Sequence, residues 1–474
     1  MKALNLQIKK GKKAYYLRLA DAIRQAIKIG QIRPGEYFPS ARVLATELQC
    51  HRHTVMAAIN ELMAEGWINS QERKGYIVSK DLPQDYFISR PTAKSPESSP
   101  HVYNIARDIV VPRRNATSGM KYSFQSGMPD LRLFPYDELR SCFSDSLKSM
   151  DSALLSYGEP FGHAPFIEEI SCYLRRVRSI TNRKIIITHG SQEAIFIIGQ
   201  LLLSPGDNVA VEELGYPPAW AALKSTGARL VGIPVDHAGM DTEALEKILK
   251  RRKIALIYTT PLHQYPTTVT LPIDRRLKLY QLAAKYNVPI LEDDYDHEFH
   301  FRSQPLAPLA GSDPSGLVLY VSTFSKVLYP SARLGFMAIP EQIFNRLSDF
   351  KRIISSQNNT LTQDAIARWM RDGGLERHMR KMRRIYQLRR DCMAEILSQS
   401  GMDFTLPDGG MALWVDTKVN SARLAQRANE KGVFIMPAQQ FSLDGKLSQL
   451  VRLGYANQSP DEIKRGLNLI LQLL

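Results

Sequence analysis

Apolar residues in the first eighty positions recur at helical spacing. Leu19, Ile23, Ala26 and Ile27 make one face of a helix over 15–29 that Gly30 closes. A P-G turn at Pro34 and Gly35 leads to Ser40, placed to cap a short second helix with Leu44, Ala45 and Leu48 inward. Val55, Ala58, Ile59 and Leu62 then fall at i, i+3, i+4 and i+7 of a third helix, which begins near His51 and stops at Gly66. The phrase W-I-N-S-Q-E-R-K-G-Y-I-V follows as two short β runs joined by a basic turn. From about Tyr122 the pattern changes to brief apolar runs between helical stretches: K-I-I-I-T-H, N-V-A-V-E-E, A-L-I-Y-T-T, P-I-L-E-D-D and L-V-L-Y-V-S-T. Such alternation predicts an α/β unit whose mostly parallel sheet is covered on both faces. Residues 81–118 between the two patterns are rich in Pro, Ser and charge, too poor in apolar surface to order themselves, and read as a linker. The expected organisation is therefore a small unit at 1–80, a linker at 81–118 and a large unit at 119–474.

Charge adds a partner to this outline. The 474 residues carry a formal net charge of +15, and residues 1–90 hold 15 Lys and Arg against 8 Asp and Glu, so +7 lies in the first fifth of the chain. A polyanion is the implied partner. Three short helices, a tight turn before the third, and a hairpin make the winged helix-turn-helix plan, whose recognition helix enters the major groove of DNA. Arg52, His53 and Thr54 open that helix, Arg42 opens the one before it, and Arg73 with Lys74 tips the wing. Arg113 and Arg114 are a solvated pair or a further phosphate contact, and the K-K-G-K-K lead-in is a basic arm. Cys50, Cys142, Cys172 and Cys392 have no C-x-x-C spacing, which argues against a disulfide framework or a zinc site and fits a reducing cytoplasm. No apolar run approaches the roughly 18 residues of a membrane span.

The large unit carries its informative residues just past the apolar runs, where open α/β sheets bind ligands. Leu317–Phe336 reads as a buried strand that delivers Ser325 and Lys326 at its end, with Arg333 seven residues beyond the lysine. One short loop thus offers an amine for imine chemistry and donors for a phosphate. Gly190, Ser191 and Gln192 open an apolar helix whose exposed amides suit an anion. Tyr216 can lie over a ring or be a turn tyrosine. Asp293 and Tyr295 end another run in a D-D-Y-D cluster; a protonated ring nitrogen would satisfy Asp293, and a divalent metal is the other reading of the cluster. The lysine on a neighbouring strand favours the ring. Arg452, in L-V-R-L-G-Y of a small α+β lobe at 401–474, is either a carboxylate grip or a salt-bridge residue.

The phrases P-S-A-R-V-L-A-T-E-L, C-H-R-H-T-V and G-Y-I-V resemble the GntR class of bacterial regulators, with His51 where that class usually has a capping Ser. The phrases G-S-Q-E-A, E-E-L-G-Y-P, T-P-L-H-Q-Y-P-T-T, L-E-D-D-Y-D-H-E-F and S-T-F-S-K-V-L-Y-P-S-A-R-L-G-F look like a type I fold aminotransferase. Joined in one chain, they resemble the MocR family of transcription factors. That resemblance implies pyridoxal phosphate held by Lys326 as a Schiff base, with Ser191, Gln192, Tyr216, Asp293, Tyr295, Ser325 and Arg333 around it and no metal. It also implies a cytoplasmic homodimer on an operator in double-stranded DNA, responding to an amino compound or to pyridoxal phosphate. A working aminotransferase with an attached DNA-binding head is the alternative. Tyr265 stands where aminotransferases usually have the Asn of N-P-T-G, a departure that bears on tuning of the imine.

Overall fold

A computed structural model describes residues 6–474 apart from 7, 9–10, 12, 72–73, 83–118, 126, 150–151, 153–154, 302–305 and 447. The expected linker, Arg113, Arg114 and Arg73 lie wholly or almost wholly outside the described residues. The chain divides into two compact units, Met1–Ala106 and Arg107–Leu474.

In the first unit the apolar spacing becomes α1 (Tyr15–Lys28), α2 (Ala41–Glu47) and α3 (Arg52–Ala64), with strands β1 (Tyr37–Phe38), β2 (Ile68–Gln71) and β3 (Gly75–Val78) in the order β1-β3-β2. Leu19, Ile23, Leu44, Val55, Ile59, Leu62 and Trp67 fill one core, so the i, i+3, i+4 faces meet each other. Ser40 caps α2 by accepting from the Val43 amide at 3.4 Å. His51 precedes α3 with the extended backbone of an N-cap but gives no side-chain cap bond. Ala45 and Leu48, expected inward, are only partly buried.

The second unit is built on a seven-stranded sheet. Its strands are β4 (Lys184–Thr188), β5 (Asn208–Glu212), β6 (Arg229–Ile233), β7 (Leu256–Thr259), β8 (Ile290–Asp293), β9 (Val318–Thr323) and β10 (Gly335–Ile339). They lie in the order β4-β10-β9-β8-β7-β5-β6, with β10 antiparallel to both neighbours and the other pairings parallel. Successive strand residues feed opposite apolar layers. Ile185, Ile187, Ile257 and Ile290 pack on one side, while Ile186, Leu256, Tyr258 and Leu291 pack on the other. Both faces are therefore dry, which is why these strands read as unbroken apolar runs. Sequence reading took the five runs correctly but passed over β6 and β10, the latter because G-F-M-A-I follows directly on the lysine loop. The carboxyl-terminal lobe pairs β11 (Ala412–Asp416) with β12 (Leu450–Gly454) antiparallel, setting Arg452 opposite Trp414.

Candidate ligand pocket and nucleic-acid interface

The parallel register of β8 and β9 sets Asp293 beside Val321, so the two expected pocket strands end side by side. Beyond β9 the chain turns at once: the Thr323 hydroxyl accepts from the Ser325 amide at 3.2 Å and lies 2.9 Å from the Ser325 hydroxyl. This cap tightens Phe324–Lys326 into a 3₁₀ turn. The Lys326 amine donates to the Gly127 carbonyl at 2.9 Å. Gly127 has φ +73°, and a Cβ there would stand 2.9 Å from the Lys326 nitrogen, so a side chain at 127 would crowd the amine. Burial lowers the pKa of Lys326.

Asp293 is buried, and Tyr258 donates to its Oδ2 at 2.9 Å, while Oδ1 meets no donor. Burial pushes its carboxyl up to about 7. Asp294 behaves differently. Against the penalty of burial, Arg178 at 2.7 Å holds it down at about 2, and Tyr320 donates to it at 2.7 Å. Asp296 takes its bond from His263 at 2.7 Å. The three aspartates of D-D-Y-D thus turn to three different partners, and among the described residues no group of three or more His, Cys, Asp and Glu could hold a metal ion.

A candidate anion cup lies next to this end of the sheet. Helix α4 (Ser191–Leu202) starts from Gly190 at φ +88°, leaving Ser191 and Gln192 in its first turn with unshared amides. Gln192 donates to the Pro218 carbonyl at 2.7 Å, which ties α4 to the residues after Tyr216. Arg333 sits in the left-handed region at φ +49°, a conformation disfavoured for a residue with a side chain. Its guanidinium donates to the His189 carbonyl and lies 3.2 Å from where Gly190 would carry a Cβ. Gly335 makes the approach possible, since a Cβ on it would fall 2.7 Å from the Gly190 backbone.

Tyr265 is the centre of the remaining wall. Its ring meets Tyr216 at 5.3 Å, Tyr295 at 5.9 Å and Phe441 at 5.4 Å, all edge to face. Arg452 is fully buried, with its guanidinium 4.3 Å from the Tyr265 ring centre and bonded to the Pro266 carbonyl. The residue that departs from the aminotransferase phrase is therefore the platform on which Arg452 rests. Sequence reading missed Gly127, Tyr258 and His263. Tyr258 was within reach, as a phenol one strand over from an aspartate; a backbone acceptor such as Gly127 leaves no mark in side-chain chemistry.

In the first unit Arg42, Arg52, His53 and Lys74 are exposed and Thr54 is half-buried in the first turn of α3. Lys74 closes the β2–β3 turn by donating its amide to the Gln71 carbonyl at 3.1 Å.

A helix-turn-helix unit with a cationic recognition turn, in one chain with an α/β unit that sets a lysine, a half-matched carboxylate and a candidate anion cup at strand ends, defines a two-unit class of protein. Residues 130–470 match the family "Aminotransferase class I and II" and residues 15–78 match "Bacterial regulatory proteins, gntR family". The chain belongs to the aminotransferase class I and II family, with a gntR-type head. A probable rhizopine catabolism regulatory protein, MocR of Rhizobium meliloti, is 29% identical over 461 residues, covering 95% of this chain and 92% of its own. The HTH-type transcriptional regulator TauR of Rhodobacter capsulatus is 29% identical over 96% of each chain. Among solved structures, the kynurenine aminotransferase of Pyrococcus horikoshii is 32% identical with a TM-score of 0.71, over 76% of this chain and 92% of its own. The likeness to MocR-type regulators thus spans both units, whereas the likeness to that enzyme spans the second. No helix among the described residues is long and apolar enough to cross a membrane.

Proposed function

We propose that this protein is a DNA-binding transcriptional regulator that reads an amino compound, or pyridoxal phosphate itself, through its aminotransferase-type unit. One observation carries the reading: a single chain holds a gntR-type recognition helix with exposed Arg52 and His53 and an α/β unit in which Lys326, Asp293 and Arg333 stand at or next to the ends of neighbouring strands. The proposed organisation is a DNA-binding unit at 1–80, a linker at 81–118 and an effector unit at 119–474.

The pocket residues fit pyridoxal phosphate. Asp293 Oδ1, buried and without a donor, suits a ring N–H; the α4 start with Ser191, Ser325 and Arg333 suits a phosphate; and Tyr216 and Tyr295 flank the ring space through Tyr265. When bound, the cofactor supplies an aldehyde for reversible bonding to amines. The chain's own part is to hold the Lys326 amine against Gly127 and to fix Arg452 as a planar fork for a carboxylate. Arg52, His53 and Thr54 would meet DNA at the recognition helix, Arg42 at the helix before it, and Lys74 with Arg73 at the wing.

The mechanism follows from linkage: a ligand that binds two states of the effector unit unequally shifts their populations, and the heads follow. A homodimer is part of this reading. Exposed Leu155, Tyr157, Ile353 and Ile354 support it, because Gln357 donates to the Ser156 carbonyl and so brings the two segments into one apolar patch, with Tyr157 90% exposed.

The test is the visible spectrum of purified protein beside Lys326→Met, followed by DNA footprinting with and without ligand. A yellow band lost in the variant, and a footprint that changes with ligand, are expected; a colourless wild type indifferent to added pyridoxal phosphate would overturn the cofactor. Steady transamination with a keto acid would favour the working enzyme instead, a reading that the likeness to solved aminotransferases keeps open.

A further inference from the structure

Strand register brings a phenol to the carboxylate at the end of β8. Tyr258 on β7 stands beside Leu291 on β8, and Asp293 follows Leu291 by two residues, on the same face and about 6.6 Å further along the strand. A tyrosine side chain spans that step, and its hydroxyl donates to Asp293 Oδ2 at 2.9 Å. The layer around the pair is otherwise apolar. Val211, Leu291, Leu319 and Val321 pack there, and Tyr258 is 1% exposed. A phenylalanine would fill the same space without the cost of burying a hydroxyl, so packing alone does not account for the phenol.

The bond has a fixed direction. Burial, and after it Asp293, push the Tyr258 phenol well above its usual value, so it keeps its proton and donates. A donor of this kind favours the ionised carboxylate. At Asp293 it opposes burial, which pushes the carboxyl up to about 7; among the other groups that face it, Lys326 also acts downward, while Asp294 and Asp296 act upward. The same bond fixes the rotation of the carboxylate and leaves Oδ1 as the oxygen without a donor.

We propose that Tyr258 is a positioning residue for the cofactor ring: by holding Oδ2 it presents Oδ1, as an anion, to the ring N–H, and so gives the pocket its preference for a pyridine ring over a ring of the same shape without nitrogen. The inference rests on the reading of this pocket as a pyridoxal phosphate site. Asp293 makes the contact; Tyr258 makes it selective.

The experiment uses the full-length protein freed of cofactor and two probes, pyridoxal phosphate and its deaza analogue, which has carbon in place of the ring nitrogen but the same aldehyde and phosphate. Binding is read from quenching of tryptophan fluorescence. Tyr258→Phe should weaken pyridoxal phosphate roughly tenfold and leave the analogue within about twofold of wild type. In the Asp293→Asn background the same change should cost nothing further. Equal losses for the two probes, or losses that multiply in the double variant, would assign Tyr258 to packing and overturn the proposal. If Tyr258→Phe does not fold by itself, the double variant, which has no unmatched carboxylate, is compared with Asp293→Asn. The two must then bind pyridoxal phosphate alike, and weaker binding by the double variant overturns the proposal. A wild type that binds neither probe would sink the cofactor reading and this inference with it, whereas one that binds both probes equally would sink this inference alone.

Discussion

Tyr258 donates to one oxygen of Asp293 at 2.9 Å and leaves the other without a donor, although both residues are buried. That half-matched pair makes the folded protein sensitive to pH. Burial pushes Asp293 up to about 7, whereas the unfolded chain loses this proton near about pH 4. Between the two values the folded state holds a proton that the unfolded state has lost. Asp293 therefore favours folding most below the unfolded value, and this contribution is lost as pH rises through 7. Asp293→Asn has no such proton to lose. In cofactor-free protein, the fall in unfolding free energy between pH 5 and 8 should be smaller in the variant by roughly 2–3 kcal/mol. Urea melts at the two pH values measure it. Glu212, Glu292 and Glu298, pushed up to about 7, 7 and 8 by burial, slope the same way, so the wild-type-minus-variant difference is the quantity to read.

Gly335 and Gly190 meet backbone to backbone beside Arg333. A Cβ at 335 would lie 2.7 Å from Gly190 and 2.9 Å from the Ser322 carbonyl, neither of which is the end of a flexible side chain. Gly335→Ala should therefore push the α4 start away from β10, at a cost of about 2–3 kcal/mol in stability. Affinity for inorganic phosphate or pyridoxal phosphate should fall with it. A variant that melts like wild type and binds pyridoxal phosphate equally well would show that the cup tolerates the shift.

The head offers a gain as well as losses. His51 has the extended backbone of an N-cap and no cap bond, so His51→Ser should stabilise α3 by about 0.5–1 kcal/mol, seen as a higher melting temperature. Lys74, exposed at the wing turn, should act through phosphates. Lys74→Ala is expected to weaken binding to all duplexes alike and to lower the slope of log affinity against log salt by about 1. Arg52→Ala should instead relax sequence preference, costing about 1–3 kcal/mol on the preferred site alone.

The sequence made the architecture readable because period and burial coincide. The 3.6-residue spacing of Val55, Ala58, Ile59 and Leu62 is the buried face of α3, and Ile185 to Ile187 are apolar in succession because β4 is covered on both sides. Lys326, Asp293 and Arg333 were legible for another reason: polar residues at the ends of apolar strands have no packing role. What stayed hidden depends on contacts between distant segments. Nothing in the string shows that Gly127 meets Lys326 across 199 residues, or that His263 takes up Asp296. Tyr265 was visible as a departure, but its use as a platform for Arg452 required the lobe at 401–474 to be folded over it.

In the proposed function, Arg452 separates an amino-acid signal from a cofactor signal. It is fully buried, rests 4.3 Å above the Tyr265 ring centre and bonds the Pro266 carbonyl, so its fork is fixed before any ligand arrives. A pre-oriented guanidinium matches a carboxylate in two parallel bonds, which a lysine ammonium cannot copy. Arg452→Lys keeps the charge and most of the volume while removing that match. If the signal is an α-amino acid, titration of the visible spectrum with a panel of amino acids should show half-saturation raised at least tenfold, on the order of 1.4 kcal/mol. The response of DNA binding to pyridoxal phosphate alone should be unaltered in the same variant. An Arg452→Lys protein that answers amino acids at wild-type concentrations would assign Arg452 to holding Tyr265 and the lobe in place, and would point to the cofactor itself as the signal.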